Sequence, residues 1–248
     1  MKKITGSIIF ACFLATSCTS VRYYADYEVN LTGVEKSSNG KKIEVGETSI
    51  KENCFSDSNL RVCFTPSKKD IGFTLVNLTD QNMKVVWDET VVTTLGKESK
   101  VLHEGVKFID RNDFQRPSIV YPGKSLSDLV APSENVYWRD GYYSQYGSSP
   151  GGWEQRPFFI DRNYTPSGAE TLDSSSFVSY VENIKKAGNI SINLPVVVGE
   201  SNRKDYEFKF KVEDAKISPI EIQDSKKTST ASAVITTIST VLLLILVL

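Results

Sequence analysis

The chain has 248 residues, with 29 lysines and arginines against 30 aspartates and glutamates and a single histidine. A charge so nearly balanced, with no long basic block, argues against nucleic acid as a partner. Because 40% of the residues are hydrophobic and neither glycine nor proline is enriched, the composition also excludes a disordered or collagen-like chain.

The N-terminus has the pattern of a secretory signal peptide. Two lysines precede an apolar run from Ile4 to Leu14, and small residues then lead to Cys18. Roughly 11 apolar residues are too few for a membrane-spanning helix but typical of a signal peptide. We therefore predict that residues 1–17 are removed and that residues 18–24 tether the mature chain.

The end of this signal resembles the lipobox of bacterial lipoproteins. It reads Leu14-Ala-Thr-Ser-Cys18, with alanine three places before the cysteine, where that family usually has leucine. The resemblance implies that the Cys18 thiol becomes acylated, with palmitate as a typical chain. Because Thr19 follows and not aspartate, it also implies an outer-membrane lipoprotein of the cell envelope, facing the periplasm or the cell surface. The alternative is an ordinary signal peptide with a chance cysteine.

Two later cysteines, Cys54 and Cys63, are predicted to form a disulfide bond. Of the four cysteines, Cys12 lies in the signal peptide and Cys18 would carry the lipid. An even pair in an exported protein favours a disulfide, which would close a loop of about 10 residues and stabilise the fold by about 2–3 kcal/mol. We expect no metal and no cofactor, because two thiols and the distant His103 do not complete a tetrahedral metal site.

The body, residues 25–223, is predicted to be all-β. Apolar and polar residues alternate over residues 190–198 and 206–213, and the turn-rich loop between them predicts a hairpin. Shorter candidate strands are Tyr27–Val34, Lys42–Val45, Leu60–Phe64, Thr90–Thr94, Ser118–Tyr121 and Val136–Trp138. Many short strands separated by turns predict an antiparallel β-sandwich that is immunoglobulin-like in its layering.

A second hairpin and one helix are also predicted. The runs 73–77 and 83–87, joined by a polar turn, predict a hairpin whose Trp87 enters the core. Ser174 is the predicted N-cap of the helix, and Gly188 lies beyond its end. Its expected apolar face consists of Phe177, Val178, Tyr180, Val181 and Ile184.

Tryptophans, glycines, prolines and acidic residues follow a distinctive order between Phe73 and Phe159. The order is Trp87-Asp88, Gly96, His103-Glu-Gly-Val106, Asp110-Arg111, Pro117, Pro122-Gly123, Asp128, Pro132 and Gly152-Trp153. It resembles a family of uncharacterised bacterial exported lipoproteins. The resemblance covers a third of the chain and implies an exported, strand-rich domain. It brings no known activity, ligand or catalytic residue.

Catalytic signatures are missing from the sequence. His103 is the only histidine, so any histidine-based acid–base scheme must use it. No nucleophile elbow, phosphate loop or zinc-protease motif is present. The carboxylates Asp88, Glu89, Asp110 and Asp113 offer a pair for sugar hydrolysis, but acidic residues beside turns more often cap a turn or face solvent. We therefore predict that the protein is not an enzyme and that His103 is a structural hydrogen-bonding group.

Residues 137–153 are the best candidate for a binding site, because aromatic residues there stand among glycines and small polar residues. The candidates are Tyr137, Trp138, Tyr142, Tyr143, Tyr146 and Trp153. Tyrosine and tryptophan offer large contact areas at low cost in conformational entropy. Such a loop would stack on the rings of a glycan or hold an envelope protein. Alternatively, Tyr137, Trp138 and Trp153 fold back and close the end of the core.

The chain closes on an uncharged segment, residues 231–248, after a linker at residues 224–230. Eighteen helical residues reach about 27 Å, just short of a hydrocarbon core, so we predict a marginal transmembrane segment or anchor. Sequons occur at Asn30, Asn77, Asn163 and Asn189. Together with these sequons, the tail alternatively fits a eukaryotic GPI-anchored surface protein.

The two ends together make the membrane the expected partner. The sequence predicts a bacterial cell-envelope lipoprotein that acts as a non-enzymatic binding or structural module. A lipid at Cys18 and a helix at the C-terminus also resemble the unimolecular spanins of some bacteriophages, which join two membranes. A two-membrane tether is therefore the alternative function.

Overall fold

A computed structural model describes residues 22–38, 41–45, 50–145, 147–163 and 172–220. The predicted signal peptide, the lipidation site Cys18, the aromatic Tyr146, the linker and the apolar C-terminal segment lie outside these residues. Within them, no helix combines the length and the apolar character that a bilayer crossing requires.

The secondary structure of the described residues is dominated by strands. The strands are β1 (Arg22–Ser38), β2 (Lys41–Val45), β3 (Ile50–Lys51), β4 (Cys54–Ser56), β5 (Leu60–Pro66), β6 (Ile71–Asn77), β7 (Met83–Val85), β8 (Val91–Thr94), β9 (Lys97–Leu102), β10 (Ser118–Val120), β11 (Ser125–Pro132), β12 (Val136–Arg139), β13 (Tyr142–Ser144), β14 (Gly147–Ser149), β15 (Gly152–Gln155), β16 (Asn189–Val198) and β17 (Asn202–Ile220). One α-helix, α1 (Ser174–Ala187), and short 3-10 helices at Trp87–Glu89, Phe108–Asp110 and Ser133–Asn135 complete the elements.

Thirteen strands form one antiparallel sheet in the order β2-β1-β17-β16-β8-β9-β11-β6-β5-β4-β3, with β7 beside β16 and β10 beside β7. Strand β11 joins the two halves of this sheet, because its first residues pair with β6 and its last two pair with β9. The prediction of an all-β, antiparallel fold with one short helix is confirmed.

The core lies between two halves of the sheet, which curls until they face each other. Phe64 of β5 contacts Phe208 and Phe210 of β17, with ring centroids 4.8 Å and 5.1 Å apart. Phe55 of β4 also meets Phe208, at 6.0 Å. Rings at these separations and tilts gain energy beyond the area that they bury. The two layers expected of a sandwich are thus the two halves of one continuous sheet.

Strand β16 is central to one half of the sheet. It forms the predicted hairpin with β17, in register from Asn189↔Lys211 to Val198↔Asn202. Its other edge pairs first with β8 and then with β7. The 3-10 helix Trp87–Glu89 lies between these two strands and places the Trp87 side chain in the core, where it is 1% exposed.

The predicted hairpin of residues 73–77 with residues 83–87 is wrong. Strand β6 pairs with β5 and β11, whereas β7 pairs with β10 and β16. The buried Asn77 side chain explains the separation, because its amide donates to the carbonyls of Gln81 (2.7 Å) and Val120 (2.9 Å). These bonds fix the turn after β6 beside Val120 of β10, so β7 pairs with β10 and not with β6.

The N-cap of helix α1 lies one residue earlier than the sequence predicts. The N-cap is Asp173, not Ser174, because the Asp173 carboxylate accepts hydrogen bonds from the Ser175 hydroxyl and from the Ser176 backbone N–H (2.8 Å). The same two bonds hold the pKa of Asp173 well below its usual range. Val178 was expected on the buried face but is 40% exposed, since only Phe177, Val181 and Ile184 of the helix are buried.

The two cysteines of the body lie opposite each other on β4 and β5. Cys54 pairs with Cys63 in the strand register, and their sulfur atoms are 2.15 Å apart, at disulfide distance. Strand β4 lies next to the short edge strand β3 and carries Phe55 into the core. The cysteine pair therefore fixes a peripheral strand that contributes to the core.

A half-buried ion pair closes one end of the core. The Lys36 ammonium contacts the Asp57 carboxylate, and the Tyr206 hydroxyl donates to the same carboxylate oxygen at 2.9 Å. Burial alone would raise the pKa of Asp57, but the Lys36 ammonium and the Leu60 backbone N–H hold it below its usual value. Burial and the Asp57 charge raise the pKa of Tyr206, which therefore stays protonated.

The first and last strands pair along nearly their whole length. Strands β1 and β17 run antiparallel from Arg22↔Ile220 to Ser37↔Asp205, with irregularities after Glu28 and after Leu31. Strand β1 thus includes residues 22–24 of the segment expected to be a tether. We call this two-stranded element the ribbon; its outer part, residues 22–28 with 214–220, has α1 packed against one face.

Candidate binding site

The aromatic segment forms a long hairpin outside the main sheet. Strand β12 pairs with β15, and β13 pairs with β14 further out; we call residues 136–155 the aromatic arm. Between the two pairs the backbones cross so closely that a Cβ atom on Gly141 would lie 2.6 Å from the Gly151 nitrogen. Glycine is therefore required at Gly141 and Gly151, where the two strands approach each other.

One face of the aromatic arm is attached to the body at its base. Trp138 and Trp153 lie opposite each other with ring centroids 5.6 Å apart, edge to face. The Arg111 guanidinium sits 4.8 Å from the centre of the Trp153 ring. Val136, at the base, is buried in a small cluster with Leu102 and other apolar residues. The base of the arm is therefore held by packing and by a cation–π contact.

The other face of the aromatic arm carries a charged hydrogen-bond network. Glu154 accepts a hydrogen bond from the Tyr137 hydroxyl at 2.9 Å and forms an ion pair with Arg139. These donors, Arg139 first, lower the pKa of Glu154. Burial and the Glu154 carboxylate raise the pKa of Tyr137. Glu154 is thus ionised and Tyr137 protonated at neutral pH, so Glu154 is not poised to donate a proton.

The predicted ligand-binding residues differ in their exposure to solvent. Tyr137 and Trp153 are half-buried against the body. Trp138, Tyr142 and Tyr143 have 52%, 55% and 88% of their side chains exposed. The base of the arm therefore packs on the body and its outer part faces solvent. Trp138, expected to fold back together with Tyr137 and Trp153, is instead half exposed, and ligand binding by the arm stays a prediction.

An open groove of about 790 Å³ lies between the aromatic arm, the segment that follows it and helix α1. Its walls include Tyr137, Trp153, Phe108 and Tyr180, together with charged side chains. The guanidinium of Arg156, in the following segment, lies 4.4 Å from the centre of the Tyr137 ring. The groove thus combines aromatic surface with hydrogen-bonding groups, as small-molecule sites do.

The groove carries an excess of positive charge. Its carboxylates are already paired, Glu154 with Arg139 and Asp161 with Arg162 (3.3 Å). In the part of the chain that the structure describes, no carboxylate lies within ion-pair distance of Lys69 or Arg156. Arg156 interacts with the Tyr137 side chain and Lys69 with the Glu154 charge, but neither cation forms an ion pair of its own among the described residues.

Sequence reasoning missed Lys69 and Arg156. They meet in the groove because the Gln155 side-chain amide donates to the Lys69 carbonyl at 2.7 Å, across 86 positions of the chain. A lysine in a polar turn and an arginine before a proline carry no local signal of such a contact. The aromatic composition of the arm was the one feature that indicated this region.

The lone histidine has the contacts of a structural group. Its ring stacks on Trp87, with centroids 4.4 Å apart and an angle of 8° between the planes. Its Nδ1 atom lies 3.3 Å from an oxygen of Asp128, which also accepts the backbone N–H groups of Glu104 and Leu129. Asp128 thus links the His103 ring to the backbone of Glu104 and of Leu129.

The four carboxylates considered for sugar hydrolysis lie on two separate turns. Glu89 and Asp88 belong to the 3-10 helix Trp87–Glu89 and pair with Arg203 and Lys100 respectively. Asp110 ends the 3-10 helix Phe108–Asp110, and its carbonyl accepts the Asp113 backbone N–H. Over the residues that the structure covers, no group of three or more His, Cys, Asp or Glu side chains is arranged to hold a metal ion.

Two of the four sequon asparagines serve the fold itself. Asn77 is fully buried, and its amide makes the two hydrogen bonds described above. Asn163 is 5% exposed and accepts the Tyr23 backbone N–H at 2.7 Å. A glycan on either side chain would displace these contacts. Asn77 and Asn163 therefore lend little support to the glycosylated, GPI-anchored alternative.

Fold and site together define an all-β protein with an appended aromatic hairpin. No protein-family model, no curated protein and no solved structure matches the chain. The resemblance of residues 73–159 to exported lipoproteins accordingly stays a prediction, and the function is argued from the geometry of the site.

Proposed function

We propose that this protein is a bacterial cell-envelope lipoprotein that binds an acidic glycan through the aromatic arm and the adjoining groove, without catalysing a reaction. The observation that carries this proposal is the exposure of Trp138, Tyr142 and Tyr143 on an arm whose base is held against the body. A group of exposed aromatic rings marks a contact surface, and sugar rings stack readily on such surfaces.

The groove supplies the polar part of recognition. Sugars need donors and acceptors beside the aromatic surface, and Arg156 offers a planar fork of N–H groups held over Tyr137. Because neither Lys69 nor Arg156 forms an ion pair with a carboxylate of the described residues, an acidic group on the ligand would neutralise them through charge-assisted hydrogen bonds. This charge favours an acidic glycan over a neutral one.

The assignment to the cell envelope has separate support. The lipobox-like sequence that ends at Cys18 and the apolar C-terminal segment both indicate membrane attachment. Sulfur atoms at disulfide distance suit a chain that folds in an oxidising compartment outside the cytoplasm.

The proposal is tested by calorimetric titration of the purified full chain. One ligand is an oligosaccharide of uronic acids, and the matched ligand is the same oligosaccharide with its carboxyl groups methyl-esterified. We expect the acidic form to bind at least tenfold more tightly. Trp138→Ala should weaken the binding of both forms, whereas Arg156→Gln should remove only the preference for the acidic form.

A matched control uses an exposed aromatic outside the arm. Tyr121 is 60% exposed on a turn after β10, so Tyr121→Ala should leave both affinities unchanged. Equal affinity of the wild-type chain for the two ligands would remove the acidic class, and no binding of either would remove the glycan proposal.

A further inference from the structure

The ribbon brings the two ends of the described chain to one place. Arg22, the first described residue, pairs with Ile220, the last. The register continues without a break to Glu28↔Asp214. The chain therefore enters and leaves the body at the same end of the molecule, on neighbouring strands.

The lengths of chain outside the ribbon limit where the predicted anchors can lie. Cys18 is four residues before Arg22, a reach of at most about 14 Å, and Ala231 is eleven residues after Ile220, a reach of at most about 40 Å. Strand β17 has 19 residues and so extends roughly 60 Å at 3.3 Å per residue. The connection between Ile220 and Ala231 is thus too short to bring the start of the C-terminal segment back along the ribbon to the opposite end of the body.

We infer that both predicted anchors enter one membrane, with the open end of the ribbon facing the bilayer. The inference rests on the proposed envelope lipoprotein and decides between its two forms, a doubly attached module and a two-membrane tether. The rigid body adds nothing to the span between the anchors, because both connecting segments leave from the same end. The two connecting segments alone therefore separate the anchors by at most about 54 Å.

The side chains at this end suit the headgroup region of a bilayer. Tyr23 and Tyr24 are half-buried near the end of the ribbon. The Lys68 ammonium lies 4.1 Å from the centre of the Tyr24 ring and 3.3 Å from a carboxylate oxygen of Asp26. Arg162 forms an isolated β-bridge with Tyr24 through its backbone. Its side chain is about half exposed and pairs with Asp161. Tyrosines and basic residues are the types that concentrate at membrane–water interfaces.

Membrane fractionation of the native host tests the inference with three altered chains. In the first, a signal peptide for ordinary secretion replaces residues 1–18, which removes the lipid. The second ends at Asp224, which removes the apolar segment, and the third combines both changes. We expect the wild type and both single variants in the same membrane fraction, and the combined variant in the soluble fraction.

The outcomes separate the inference from the proposed function. If the first variant fractionates with one membrane and the second with another, the anchors enter different membranes and the inference is overturned. If the combined variant stays in the membrane fraction, neither end is the anchor and the proposed lipoprotein is itself wrong.

A measurement on the wild-type chain avoids any question of altered folding. The full chain is reconstituted into vesicles with one dye and mixed with protein-free vesicles that carry a second dye. With both anchors in one bilayer, we expect no energy transfer between the dyes above the protein-free background. Transfer that rises with the amount of protein would show attachment to two membranes and would overturn the inference.

Discussion

The core and the aromatic arm are both rich in aromatic residues, yet those residues occupy opposite environments. In the body, alternate residues of β5 and β17 face a second layer, so Phe64, Phe208 and Phe210 are buried. The arm is a pair of short strand ladders on which no second sheet layer packs among the described residues, so Trp138 and Tyr143 stay exposed. Whether an aromatic residue is buried and stabilises the fold, or is exposed and free to contact a ligand, therefore depends on the presence of a facing layer and not on the aromatic content of the segment.

The largest effect is expected in the core. Phe208 is fully buried and contacts Phe55, Phe64 and Tyr206. Phe208→Ala should lower the free energy of unfolding by about 3–5 kcal/mol, since it removes buried area and leaves a cavity. Urea unfolding of the purified full chain measures the change.

The matched substitution in the arm is Tyr143→Ala, at a side chain that is 88% exposed. It should change the free energy of unfolding by less than about 0.5 kcal/mol. Comparable losses at Phe208 and Tyr143 would contradict the distinction between the two regions.

The second effect concerns the cysteine pair at the periphery of the core. Cys54→Ser should lower stability by about 2–3 kcal/mol under non-reducing conditions, because a loop of about 10 residues is no longer closed in the unfolded chain. In reductant, variant and wild type should melt together. An equal melting temperature of the wild type with and without reductant would show that the pair contributes nothing.

The third effect tests the ion pair that closes the core. The Lys36 and Asp57 side chains are 16% and 14% exposed. Asp57→Asn leaves the ammonium without its partner and should cost about 2 kcal/mol at pH 7, less than for a fully buried pair.

The pH dependence of this cost has a definite sign. The pKa of Asp57 is lower in the folded chain than in the unfolded chain. Its contribution is therefore present above the unfolded value, about 4, and is lost as the pH falls through the folded value. The difference in unfolding free energy between wild type and Asp57→Asn should shrink between pH 7 and pH 3. A difference that is unchanged at pH 3 would rule out the ion pair as its source.

A smaller effect on stability than these, though larger than that of Tyr143→Ala, is expected at the exposed tryptophan of the arm. Trp138→Ala removes one edge-to-face contact with Trp153 and should cost about 0.5–1 kcal/mol. The same substitution should weaken glycan binding in the calorimetric titration. A loss of several kcal/mol in unfolding free energy would instead place Trp138 among the residues that hold the core.

The elements predicted correctly are those whose local pattern matches their final environment. Strands β16 and β17 alternate strictly because one face meets the core and the other meets solvent, and they are joined by a short turn. Trp87 is among the largest buried side chains, so its core position follows from its size and apolar surroundings. In such segments sequence and tertiary structure agree.

The elements that escaped prediction depend on distant partners. Strands β9 and β11 are rich in polar residues and show little alternation, because they connect the two halves of the sheet. The false hairpin depended on the turn after β6, whose course is set by the Asn77 side chain and Val120, 43 positions away. The groove also depends on distant partners, because residues of the arm, the β5–β6 turn, the segment after the arm and α1 all line it.

The ribbon also constrains how the chain can fold as it is made. The hydrogen bond between Asn30 and Glu213 joins positions 183 apart, so the ladder between β1 and β17 is of very high contact order. During synthesis from the N-terminus, β1 emerges first and must wait for β17 while its edges stay open to wrong partners. The ribbon can therefore form only after β17, the last strand, has been synthesised.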